Sequence, residues 1–296
     1  RSRMPIRLRA GRQEFGEEDE VTLSAVDAEV FDGLPLVPAR FEASALTVSL
    51  GDALYTTPER VTLRSPDRGP GALATGSDFT LDQRAGLIRF GRNGEITFSL
   101  EEGAPTSLKA TGAGVLSVER VSDDGTVRVL VEGGARLETS QGGGAMLSAQ
   151  RVELVGAPGL SGAILARSAS ASGDVVIDGW GGRFGGARAR LEFGERGRLN
   201  EAYLEGEPSA RVPLAVEGGE TVEVTLEATD SVRLLADAGF SVSGPCTVRV
   251  QDRDVALECD GTLLGTGREQ GGFGWLSASG GVRARLGQTD YQGQDL

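Results

Sequence analysis

The chain has 296 residues, a net charge of −13 and a pI of about 4.7, a balance that argues against nucleic acid as a partner. It holds 45 glycines and no histidine, so the commonest general base, proton shuttle and metal ligand is missing. Hydrophobic residues make up 39% and aromatics 5%. That supports a thin core of Val, Leu and Ala, suited to flattened or elongated β-structure.

The first twelve residues, RSRMPIRLRAGR, carry five arginines and no acid. They read as a solvated terminus entering a first strand; attraction to anionic lipid is the other reading. Residues 20–30, EVTLSAVDAEV, are the best helical candidate and fit strand alternation equally. Beyond them the period is two. Ile96 and Phe98 alternate with Glu95 and Thr97, and Val127, Val129 and Val131 repeat the pattern. Ala187, Ala189, Leu191 and Phe193 fall on one face, with Arg188, Arg190 and Glu192 on the other. Gly91-Arg92-Asn93-Gly94, Asp123-Asp124-Gly125 and Glu195-Arg196-Gly197 read as turns between such runs. Residues 140–145, 156–163 and 168–173 are the most linker-like. They suggest a boundary near 158, with β modules over 1–158 and 159–296; one continuous curved sheet is the alternative. Trp180 and Trp275 each sit with a phenylalanine in a glycine-rich stretch, as aromatic plugs or ligand-facing rings at a sheet rim.

The segment GPCTVRVQDRDVALECDG, residues 244–261, predicts a hairpin turning at Asp252-Arg253. Val250 then faces Val255, Val248 faces Leu257 and Cys246 faces Cys259, all on one face. Alternation outward from the turn makes 246:259 a non-hydrogen-bonded pair, with Cα atoms about 4.5–5.5 Å apart. That spacing permits a disulfide, which would place the protein in an oxidising compartment such as a periplasm. Two reduced, buried thiols are the alternative.

No serine can be paired with a histidine, and Lys109, the one lysine, is not preceded by a phosphate-binding loop. Two cysteines without histidine do not make a four-ligand zinc site. Asp123-Asp124-Gly125 lacks the spaced ligands of a calcium loop. No catalytic residue, metal or cofactor is therefore expected. Acid runs such as Glu101-Glu102 and Glu17-Glu18-Asp19 leave room for a carbohydrate-active reading, which the low aromatic content disfavours. A structural or adhesive β-repeat protein is the stronger rival.

Two segments carry a family resemblance. Tyr55–Phe98, YTTPERVTLRSPDRGPGALATGSDFTLDQRAGLIRFGRNGEITF, and Phe184–Leu214, FGGARARLEFGERGRLNEAYLEGEPSARVPL, together cover about 75 residues. They resemble the periplasmic lipopolysaccharide-transport proteins of the OstA-like superfamily, the LptA/LptC type. Phe193 stands where that family often has an aromatic, and Gly206-Glu207-Pro208 matches its closing turn. The chain is longer than a single module of that type. The resemblance implies an all-β, partly open jelly roll, here as two stacked modules, whose apolar trough shields acyl chains. It also implies a lipopolysaccharide-like lipid, neighbouring β modules joined through edge strands, and an inner-membrane transporter as partners. The candidate groove residues are Leu191, Phe193, Leu199, Tyr203 and Leu204. The implied location is the periplasm, with an anchoring segment expected upstream of Arg1.

Overall fold

A computed structural model of the chain describes residues 6–16, 19–30, 39–64, 72–99, 107–122, 124–139, 145–158, 164–179, 181–194, 199–215, 221–235, 239–251, 253–267 and 273–295. The described residues form 24 strands and no helix, so the chain is all-β. Among the described residues, pairing is antiparallel apart from one parallel rung, Leu214 with Phe273. The chain divides into two units. One holds Arg1–Thr139, Arg151–Ala169 and Glu195–Gly197; the other holds Ser140–Gln150, Ser170–Gly194 and Arg198–Leu296. The strands Met146–Pro158 and Ile164–Gly179 contribute residues to both, so no single cut separates them.

The first unit is a meander of long strands, each broken near its middle. Residues 39–49 pair with 54–57 in one half and with Arg64 in the other. Residues 54–57 and 61–64 both pair with Ala72–Asp82. Leu87–Ser99 pairs with Leu116–Arg120 near its start and with Ser107–Gly112 near its end. Several breaks carry a residue of left-handed backbone, as at Ala25 (φ 51°), Asp78 (φ 55°) and Asn93 (φ 52°). Backbone hydrogen bonds link the breaks from strand to strand. The Asp78 N–H donates to Pro58 O at 3.3 Å, Asn93 to Ala113 at 3.1 Å and Glu132 to Val115 at 2.8 Å. The breaks therefore align into a crease across the sheet.

The crease folds the sheet over its own apolar face. Phe41 lies on one side of it, Phe79 and Phe90 on the other. Their ring centroids are 5.1 Å (Phe41–Phe79) and 5.5 Å (Phe79–Phe90) apart, and all three are 2% exposed or less. The two halves of the same strands thus become two facing layers. The residues 20–30 show why a strand could pass for a helix. Val21 and Leu23 are buried before the break at Ala25, and Val26, Ala28 and Val30 after it. The phase slip breaks period-two alternation.

Gly91-Arg92-Asn93-Gly94, expected as a turn, lies inside the strand Leu87–Ser99. It is a crease rather than a reversal. The Asp78–Arg92 pair spans it, with an Nε–Oδ2 distance of 2.6 Å; the Arg92 hydrogen bond lowers the Asp78 pKa. Likewise 168–173, expected as a linker, lies inside the strand Ile164–Gly179 and includes a crease glycine, Gly173 (φ 78°). Asp124 does sit in a turn, with Asp123 outside the described residues. It accepts hydrogen bonds from Ser122 Oγ and the Thr126 N–H, and these hold its carboxyl down to about 2.

Glycine is required where crease strands touch. Gly133 and Gly134 both have positive φ (79° and 81°). A Cβ on Gly133 would lie 2.9 Å from the Gly114 Cα, whereas one on Gly134 would meet nothing within 4 Å. The pair separates backbone conformation from contact. Gly134→Ala should cost about 1 kcal/mol, the conformational share alone. Gly133→Ala should cost about 1–3 kcal/mol more, because backbone must move. Urea unfolding of both variants checks this; equal losses would remove the contact from the account.

Candidate functional site

The second unit repeats the architecture. Gly182–Phe193 pairs with Leu199–Glu205 through residues 188–193 and with Ser209–Ala215 through residues 183–185. Leu199–Glu205 pairs next with Ser231–Leu235, which pairs with Gly239–Ser243. Beyond the crease the matching sequence is Ser209–Ala215, Thr221–Ala228, Cys246–Val250 and Val255–Cys259. Phe273–Leu286 then spans both layers, pairing with Thr262–Gly267 and with residues 255–258. The crease passes through Gly206 (φ 78°), Glu207 (φ 56°), Gly244 (φ 85°), Gly280 (φ 84°) and Gly281 (φ 73°). Gly206-Glu207-Pro208, read as a closing turn, is part of it. Phe184 and Phe240, one from each layer, meet at 6.4 Å.

The five candidate groove residues do not share one environment. Leu191 opposes Ala202, which opposes Leu234; Ala189 opposes Leu204, which opposes Val232. All six are 5% exposed or less, so Leu191 and Leu204 belong to the packed interior. A bulge between Glu192 and Phe193 brings Phe193 opposite Leu199 at the hairpin end, where both are half-buried. Leu235 is half-buried at the same end of the layer. Tyr203 lies on the other face of its strand. It stands opposite Arg190 and Arg233, with the Arg233 guanidinium 5.4 Å from its ring centroid. Arg233 Nε donates to Glu201 at 2.7 Å and lowers the Glu201 pKa. Desolvation, then the Glu201 hydrogen bond, raise the Tyr203 phenol. Strand alternation alone places Tyr203 and Leu204 on opposite faces.

The outer faces carry cross-strand ion pairs, including Arg188–Glu205, Arg128–Glu153 and Arg151–Glu132. They are exposed and contribute little each. Among the described residues no group of three or more His, Cys, Asp or Glu could hold a metal ion. Trp180 lies outside the described residues, and Trp275 stands opposite Thr266 in the ladder.

The cysteine hairpin has the expected register: Cys246 opposes Cys259, Thr247 opposes Glu258 and Val248 opposes Leu257. Asp252, in the expected turn, lies outside the described residues. Both cysteines are buried free thiols. Burial, then a hydrogen bond with Cys259, push the Cys246 thiol up to about 12.

A signal for the crease was present in the sequence. Gly133-Gly134-Ala135-Arg136, Gly185-Gly186-Ala187-Arg188 and Gly280-Gly281-Val282-Arg283 share one pattern. Gly280 repeats the Gly133 contact, since its Cβ would lie 2.9 Å from the Gly261 Cα. No family model, curated protein or solved structure matches the chain.

Two predictions separate these environments. Leu204→Ala should cost about 2–5 kcal/mol, and Tyr203→Ala less than about 1 kcal/mol, in denaturant unfolding. Reduced protein should also lose stability in alkali. The Cys246 pKa is raised on folding, so its contribution is complete below about 9 and disappears as pH rises towards about 12. Thermal melts across that window should fall more steeply for wild type than for Cys246→Ala. Parallel curves would show that this thiol is not responsible.

Proposed function

We propose that this chain is a non-catalytic, lipid-handling β scaffold of the cell envelope. Its interior would shelter the acyl chains of lipopolysaccharide or a similar lipid on a path between two membranes. One observation carries the reading. In the second unit, a face lined by aliphatic side chains ends in half-buried Phe193 and Leu199, while the outer faces are charged. Burying acyl CH₂ groups against such a face is worth about 0.8 kcal/mol each. A chain without histidine has few means of general acid–base chemistry, which suits a conduit. The resemblance of Tyr55–Phe98 and Phe184–Leu214 to the lipopolysaccharide-transport family supports the same reading. A periplasmic location, a partly open jelly-roll form and a bridge between Cys246 and Cys259 belong to this proposal.

Edge strands suit neighbouring modules. Arg12–Phe15 pairs with 21–24, and no second partner for it occurs among the described residues. An open edge can accept another strand. The rival reading, a structural β-repeat protein, draws on the regular crease: Gly76, Gly94 and Gly112 recur at a constant interval and each faces a large side chain of the next strand, Phe90, Leu116 and Val131.

Photocrosslinking distinguishes the two. A photoreactive residue at Phe193 should give a lipid adduct with lipopolysaccharide, several-fold above the same probe at Tyr203 on the outer face. Equal or absent adducts at both sites, together with self-assembly of the purified chain, would favour the structural reading.

A further inference from the structure

We infer that Cys246 and Cys259 form a redox latch on the crease of the second unit. They are the chain's two cysteines, and they are register partners with 5% and 2% exposure. Their rung is the last before the crease. The next rung of the same two strands is Ser243 with Thr262, across Gly244-Pro245 on one strand and Asp260-Gly261 on the other. The crease is tight here: a Cβ on Gly244 would lie 2.3 Å from an Asp230 carboxylate oxygen, and one on Gly261 2.4 Å from Ser279 O. A bond at 246:259 would tie the two strands where they bend.

Other uses of the pair fit less well. Among the described residues, no cluster of ligands accompanies it for a metal. Its ladder neighbours are Ala228 beside Cys246 and Thr247 opposite Glu258, and no histidine exists to activate a thiolate. Directly opposed strand residues lie about 4.5–5.5 Å apart at Cα, inside the range a disulfide needs. Two-electron oxidation to a bridge is the chemistry left to them.

The oxidant is a disulfide, small-molecule or protein. One cysteine thiolate attacks it, breaking its S–S bond, releasing one thiol and forming a mixed disulfide. The second cysteine attacks the protein sulfur of that mixed disulfide and expels the second thiol. The two protein hydrogens end on the two released thiols, the oxidant is reduced and the cysteine pair is oxidised. Because both sulfurs are buried, exchange requires the two strands to part locally beside the crease. Once formed, the bridge opposes that same parting.

The test uses the full chain, reduced and then incubated with glutathione disulfide. Intact mass should show loss of two hydrogens without a glutathione adduct. Amide hydrogen exchange across 239–250 and 255–267 should slow roughly tenfold or more, while 87–99 is unchanged. A stable glutathione adduct, or a bridge that leaves exchange unaltered, overturns the latch. The Cys246→Ala, Cys259→Ala double variant should not respond to oxidant; a response equal to wild type would also overturn it. If that variant does not fold, the reduced and oxidised wild-type comparison decides the matter.

Discussion

The close approach of backbone to backbone along each crease is the constraint on which the structure depends. Gly133 on Gly114, and Gly280 on Gly261, bring main chains to distances that a methyl group would block. At these contacts a long strand bends so that its two halves face each other, while elsewhere the crease runs through left-handed residues such as Ala25, Asp78 and Asn93. Without the bend, one face of a wide sheet would expose its aliphatic residues to water, and the thin core would have nothing to pack against. With it, Phe41 reaches Phe79, and Phe184 reaches Phe240. The abundance of glycine is thus a structural requirement at particular positions rather than a general looseness.

The crease also explains how an acidic, arginine-rich chain stays folded. Charges occupy the convex side of each layer, where arginines meet acids across strands, as in Arg233–Glu201 and Lys109–Glu95. These pairs are solvated and individually weak. Their effect is to keep like charges apart and to mark which face points outward. Register is then fixed from both sides: a slip of one residue would carry arginine inward and valine outward. At Asp78 the same chemistry serves the bend itself, since a bidentate Arg92 holds an acid in left-handed backbone that most side chains avoid.

Alternation made the strands legible, and the register of 246–249 against 256–259 was legible too, because one register satisfies every apolar pair at once. What the sequence concealed was the difference between a turn and a crease. Both need left-handed residues, so Gly91-Arg92-Asn93-Gly94 and Gly206-Glu207-Pro208 read as turns when they are bends, the first inside a strand and the second between two strands that run on in the same direction. The distinguishing feature is the phase of burial on either side, together with a partner strand that carries a bend at the matching position. Tyr203 and Leu204 are neighbours in sequence, yet alternation puts Tyr203 on the opposite face, beside Arg233.

The proposed lipid path can be weighed against the packing that would oppose it. Leu191, Leu204, Val232 and Leu234 already fill the interior near the crease, so a guest would have to enter from the ends of the layers. There the side chains are half-buried. The two layers of the second unit are joined at that side by the parallel rung of Leu214 with Phe273. A backbone hydrogen bond contributes about 0.5–1.5 kcal/mol net, and each buried acyl CH₂ about 0.8 kcal/mol. A guest chain of several methylenes therefore outweighs one rung, whereas displacing a single core leucine costs several times more. On these magnitudes an acyl chain would part the rim and leave the crease intact. The crease would act as the hinge of the trough.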